Sequence, residues 1–154
     1  MGYPTSDELA VGKYSGRYNN FENGTITWST TTSTRMLFGA VRDRWAEVGR
    51  EDGELGYPTS DELVAPDGIG HYVYFENGTG IYSLPIVGAW RVPANMISLW
   101  AGEGLESGPL GYPVENARTT GLSDGLVIAQ LFQYGAIGYT ADNVAYVGAY
   151  EPVR

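Results

Sequence analysis

A chain of 154 residues with 18 acidic and 9 basic side chains carries a net charge of −9, with no cationic cluster, which excludes nucleic acid and disfavours anionic membrane surfaces as partners. The absence of cysteine rules out disulfides, thiolate metal sites and a thiol nucleophile, and no run of 18 apolar residues exists to span a bilayer. Its 22 glycines, 12 tyrosines and 4 tryptophans suit a turn-rich β protein with aromatic faces.

The octapeptide Gly-Tyr-Pro-Thr-Ser-Asp-Glu-Leu at Gly2–Leu9 returns unchanged at Gly56–Leu63, and a looser copy, Gly-Tyr-Pro-Val-Glu-Asn, begins at Gly111. The chain is therefore an array of one unit of about 54 residues, and repeated units more often bind something repetitive than build a single asymmetric reactive centre. Met1 stands where the other copies have Leu55 and Leu110. No signal-peptide pattern stands at the N-terminus, and the position of Met1 leads us to expect a fragment of a longer protein that begins inside a repeat.

In chain order, each unit opens with the octapeptide turn, in which Thr59, Ser60 and Asp61 can satisfy backbone amides. A hairpin follows, read as Gly16–Phe21 with Thr25–Ser29, His71–Phe75 with Gly80–Leu84, and Leu126–Phe132 with Ala136–Thr140. The Asn-Gly pairs Asn23-Gly24 and Asn77-Gly78 predict type I′ turns. A third short strand is expected at Arg35–Phe38, Ala89–Val92 and Val144–Val147. Val41, Trp45 and Val48, at i, i+4 and i+7, then predict a helix ended by Gly49. A second helix is expected from Pro93 at its first position through Met96, Ile97 and Trp100. The result is an α+β fold of one domain, residues 1–154, with tandem repeats that each comprise an antiparallel hairpin or three-strand meander and a helix. Trp45, Trp100, Phe21, Phe75 and Phe132 are the expected core rings, since each buries about 150–250 Å². The turn motif Gly56-Tyr57-Pro58 and its copy Gly111-Tyr112-Pro113 read as structural.

The stretch Gly39–Gly49, the run Gly53-Glu-Leu-Gly-Tyr-Pro-Thr-Ser-Asp-Glu62 and the segments Gly68–Phe75 and Gly80–Ser83 resemble the LGFP repeat of actinobacterial envelope proteins. The signature tetrapeptide stands here as Leu55-Gly56-Tyr57-Pro58 and Leu110-Gly111-Tyr112-Pro113, with Tyr in the Phe position. The likeness is strong from Gly39 to Ser83 and weaker after Leu84. It implies a secreted accessory module, found beside mycolyltransferases, esterases or peptidoglycan hydrolases, that anchors an attached enzyme or surface protein to the cell wall through arabinogalactan or another wall polysaccharide. The family supplies no catalytic or ligand residues to carry over.

Chemistry-bearing residues are sparse. His71 is the only histidine and has Arg17 in its place in the first copy, and no Gly-x-Ser-x-Gly elbow accompanies it. The pairs Asp7-Glu8 and Asp61-Glu62 can be imagined as glycosidase carboxylates, but duplication favours turn capping. Glu51-Asp52-Gly53 and Asp67-Gly68 supply oxygen donors without a calcium-loop pattern. No catalytic residue, metal site or cofactor is therefore assigned. Aromatic platforms for sugar faces are expected among Trp28, Tyr72, Tyr74, Tyr82, Trp90 and Tyr139, with inter-repeat core as the competing role. A protein-binding or spacer repeat, and a glycan hydrolase with a carboxylate pair, remain the alternatives to a glycan-binding module.

Overall fold

A computed structural model describes residues 1–119 and 126–150. The stretch Gly121-Leu-Ser-Asp-Gly125, which reads as a turn by composition, lies outside them. The described residues form three antiparallel four-stranded sheets, one per repeat, and two helices. The first sheet comprises β1 (Leu9–Ala10), β2 (Arg17–Phe21), β3 (Gly24–Ser29) and β4 (Ser33–Phe38), and leads into α1 (Gly39–Glu47). The second comprises β5 (Leu63–Val64), β6 (His71–Tyr74), β7 (Gly80–Leu84) and β8 (Gly88–Val92), and leads into α2 (Ala94–Gly102). The third comprises β9 (Arg118–Thr119), β10 (Leu126–Phe132), β11 (Gly135–Thr140) and β12 (Ala145–Ala149). Strands β1, β5 and β9 went unread in the sequence because two residues carry no periodicity.

Alternation along the strands gives each sheet two faces, and the helices fill the spaces between sheets. Val73, Phe75, Ile81 and Ala89 of the second sheet pack with Val41 and Trp45 of α1 and with Leu37 of the first sheet. The opposite face offers Tyr82 and Val92 to Met96 and Trp100 of α2, which in turn meet Phe132 and Ile137 of the third sheet. The order is sheet, helix, sheet, helix, sheet, and each helix seals the junction between two repeats. Phe21, expected in the core, is only half-buried, because no helix covers its side of the first sheet.

Each helix ends as the glycines indicated, with Gly49 and Gly104 left-handed at φ 95° and 96°. Pro93 is the residue before α2 rather than its first turn, extended at ψ 152°. The expected type I′ turns do not form. Phe21 pairs with Gly24 across a Glu22-Asn23 loop, Tyr74 pairs with Gly80, and neither Asn23 nor Asn77 takes a positive φ. What fixes the loop is the glutamate before each Asn: the amide of Tyr57 donates to Glu76 Oε2 (2.9 Å) and that of Tyr3 to Glu22 Oε2 (3.0 Å), while Tyr112 uses Gln133 Oε1 (3.0 Å). Gly56 must be glycine on two counts, a φ of 73° and a Cβ that would fall 2.4 Å from the Glu76 carboxylate.

The rest of the octapeptide stitches repeats together. Ser60 Oγ accepts the amide of Tyr74 (3.1 Å) within its own sheet. Asp61 and Glu62 reach the free edge of β4 in the preceding repeat, accepting the amides of Met36 (3.2 Å) and Phe38 (2.8 Å) and so blunting an open strand edge. At the next junction Asn116 accepts the amide of Arg91 (2.9 Å). The counterpart of Phe38 there is Pro93, which has no amide hydrogen, and the counterpart of Glu62 is Ala117.

The motif tyrosines also cross the junctions. The Tyr57 hydroxyl donates to the Lys13 carbonyl (3.1 Å) and that of Tyr112 to Asp67 Oδ2 (2.6 Å). Each ring passes over a glycine, and a Cβ on Gly16 or Gly70 would sit 1.7 Å or 2.1 Å from the hydroxyl. Burial, with Glu51, Asp52 and Glu76 nearby, pushes the Tyr57 hydroxyl up to about 12, so it remains a donor at any physiological pH.

Three outcomes are expected. Gly70→Ala forces the Tyr112 ring out of its seat and destabilises the fold by about 2–3 kcal/mol in urea unfolding. Tyr57→Phe and Tyr112→Phe each cost about 1 kcal/mol at pH 7, but with different pH dependence. The hydrogen bonds from Tyr112 and from the Ile69 and Gly70 amides hold the Asp67 carboxyl below its usual 3.8, so their contribution is full above that value and fades as pH falls through the lower folded one. The Tyr112→Phe deficit therefore shrinks in acid, whereas the Tyr57→Phe deficit, against a carbonyl, does not. Glu51 is buried with Oε2 unpartnered, and burial raises its carboxyl above the usual 4.5. Its folded form favours the proton, so the stability it permits is full below about 4.5 and lost as pH rises through the raised folded value. Glu51→Gln should be more stable than the parent at pH 8, with the gap closing toward pH 4; a gap constant with pH contradicts this.

Candidate functional site

Two concavities with mixed polar and apolar linings lie at the repeat junctions. One, of about 530 Å³, lies between the first and second repeats and is lined by Lys13, Tyr14, Thr31, Thr32, Thr59 and Glu76 together with Glu54, Leu55, Gly56 and Asn77. Another, of about 340 Å³, lies between the second and third repeats and is lined by Thr79, Arg91, Pro93, Asn116, Ala117 and Ile128 together with Glu54, Leu55 and Asn77. The two hollows meet at the wall formed by Glu54, Leu55 and Asn77. They form one band touching all three repeats.

The groups in this band are held in place by the fold. The loop before β2 turns through two non-glycine residues at positive φ, Tyr14 (54°) and Ser15 (50°), and leaves the Tyr14 ring 48% exposed on the rim. That conformation costs energy for side-chain-bearing residues. Lys13 lies over the same ring at 5.3 Å and pairs with Glu76 at 3.6 Å. Asn77 Oδ1 accepts the Thr79 amide (2.9 Å) and Asn116 Oδ1 accepts the Arg91 amide, and neither side-chain NH₂ has an acceptor among the described residues. Arg91 pairs with Glu54 through Nη1, while its buried Nε has no acceptor. Pro93, Ala117 and Ile128 add apolar surface beside these donors. Alternating apolar contact and outward-facing donors is the chemistry that sugar rings require, with C–H faces and hydroxyl edges.

The aromatic residues expected as platforms fall into two groups. Tyr82 is a core residue, 1% exposed and edge-on to Trp100 at 4.7 Å. Tyr72 stacks on Tyr82 at 5.2 Å, and the Tyr74 and Tyr82 hydroxyls share a 2.7 Å hydrogen bond, so Tyr82 has no face left for a sugar while Tyr72 and Tyr74 are half-buried against the inter-repeat core. Tyr139 packs on the same core, with its hydroxyl on the Asn95 carbonyl (3.2 Å). Trp90 is half-buried under the Arg44 guanidinium (4.5 Å), its indole N–H bonded to the Val87 carbonyl (2.9 Å). Trp28 is 40% exposed on the outer face of the first sheet, between Arg17 and Thr34. Trp45 and Trp100 are fully buried, as are Tyr57 and Leu55, and Tyr112 nearly so, as expected of structural motif residues. Of the groove, sequence reasoning missed Tyr14, Asn77 and Asn116. An aromatic residue in a loop between Gly12 and Gly16 was the available signal for the first.

His71 Nδ1 sits 3.2 Å from Glu62 Oε1 in a separate hollow of about 390 Å³, with Ser83 on the neighbouring strand. The arrangement has the members of a triad without its geometry. Ser83 Oγ donates to the His71 backbone carbonyl (3.3 Å), and Glu62 is bonded to the amide of Phe38. Burial raises the Glu62 carboxyl, opposed by the Phe38 amide and His71. The first repeat holds Glu8 and Arg17 at 3.6 Å in the same two positions, so the Glu62–His71 contact is a repeated cross-strand polar pairing. Among the described residues no cluster of three or more His, Cys, Asp or Glu is placed to hold a metal, and Asp67 is engaged by Tyr112 and two amides.

The structural period agrees with the comparison to known families. The family model of the LGFP repeat matches the chain twice, over residues 1–53 and 55–108. No curated protein matches it significantly. The boundary between the two matches falls at Glu54, in the turn that joins one unit's helix to the next unit's Gly-Tyr-Pro. The chain belongs to the LGFP repeat family.

Proposed function

We propose that this array is a non-catalytic module that holds a polysaccharide of the cell envelope across its repeat junctions, and so tethers an attached enzyme or surface protein to the wall outside the cell. The observation that supports this reading is the polar band touching all three repeats, with Tyr14 offering a ring and Asn77 and Asn116 side-chain amides that have no donor partner among the described residues. A linear ligand can lie across both hollows at once, and engagement at two hollows multiplies weak single contacts. The junction position also explains why a lone reactive centre is dispensable: the binding surface exists only because repeats are stacked.

The test is retention on isolated wall material and on arabinogalactan, measured by sedimentation and by affinity electrophoresis. Tyr14→Ala combined with Asn116→Ala should weaken retention about tenfold, equivalent to about 1.4 kcal/mol, with far-UV circular dichroism unchanged. Trp28→Ala, outside the band, should leave it intact. Retention lost through Trp28 but not through the double variant moves the site to the first sheet's outer face; no retention of the parent on either material sinks the reading.

A further inference from the structure

The charges in the junction groove say more about the ligand than its shape does. Four charged side chains line it: Lys13, Glu54, Glu76 and Arg91. They cancel in pairs. Lys13 Nζ lies 3.6 Å from Glu76 Oε2, and Arg91 Nη1 is bonded to Glu54 Oε1. Glu76 is further committed to the Tyr57 amide and to the Thr31 hydroxyl (3.3 Å). The groove therefore offers no unpaired cation to an anionic polymer, and it sits in a chain of net charge −9 that repels one. What it leaves open is uncharged: the NH₂ groups of Asn77 and Asn116, which have no partner among the described residues, and the Tyr14 ring. Arg91 Nη1 is neutralised by Glu54, and its Nε is buried away from the groove without an acceptor among the described residues.

We infer that the junction groove selects an uncharged polysaccharide and rejects its carboxylated or phosphorylated equivalents, with Glu54 as the residue that sets this preference. The inference rests on the reading of the groove as a glycan site. Glu54 is 63% exposed at its side chain and, among the described residues, its carboxylate holds only Arg91, so its replacement changes the groove's charge with little effect on the fold. Removing it frees a guanidinium beside the Asn116 amide, an arrangement suited to a carboxylate.

The experiment uses affinity electrophoresis of the chain in gels containing arabinan, galactan or mannan, each in native form and after oxidation of its primary hydroxyls to carboxylates. The native form of at least one polymer should retard the protein, with its oxidised form at least tenfold weaker. Retardation by the native form should be unchanged between 50 and 300 mM salt, because no counterions are released. Glu54→Gln should bind the oxidised polymer at least fivefold better than the parent at 50 mM salt, and this gain should disappear at 300 mM. An oxidised polymer that binds the parent as well as the native one, steep salt dependence of native binding, or no gain in Glu54→Gln overturns the inference while leaving glycan binding standing. No retardation by any polymer, native or oxidised, overturns both.

Discussion

The structure depends on a shared helix. Neither sheet of a junction can cover its own apolar face, and α1 has too little surface to be stable alone. Placed between two sheets, Trp45 and Val41 bury against Leu37 on one side and Val73, Phe75 and Ile81 on the other. Trp100 and Met96 do the same for the second and third sheets. Isolated helices of 9 residues are far below the length at which they hold together in water. Their order therefore comes from both neighbours at once, and stability accrues junction by junction as in other repeat arrays.

Much of this was legible in the sequence, because the strongest signals were periodic. The helices over Gly39–Glu47 and Ala94–Gly102 followed from Val41–Trp45 and Met96–Trp100 spacing and from the glycines that end them. The three hairpins followed from β-prone runs flanking a repeated loop. The turn type did not. Asn-Gly favours a type I′ turn only when nothing else constrains the loop, and here the carboxylate of Glu22 or Glu76 is tied to a tyrosine amide 19 residues earlier. A contact of that range leaves no trace in local propensity.

The candidate site was less legible for a related reason. Sequence reasoning looked for aromatic residues on strands, and strand aromatics in a stacked array are what junctions bury; Tyr72, Tyr74 and Tyr82 became a packed stack with Trp100. The residues that face the groove come instead from loops and from different repeats: Tyr14 from the first, Asn77 and Arg91 from the second, Asn116 from the third. A surface assembled from three units cannot be read from one, and equivalent positions need not carry the same residue.

The exchange of Phe38 and Glu62 at one junction for Pro93 and Ala117 at the next has a consequence for how such arrays evolve. A glutamate is present where the preceding strand edge offers an N–H, and an alanine where proline has removed it. Each unit is thus matched to its upstream neighbour through a lock-and-key pair on opposite sides of the seam. Duplicating or shuffling single units would join a hydrogen-bond donor to a mute alanine, or a buried carboxylate to a proline. Recombination should then preserve whole seams, with breakpoints inside units and not between them, so that neighbouring halves are inherited together.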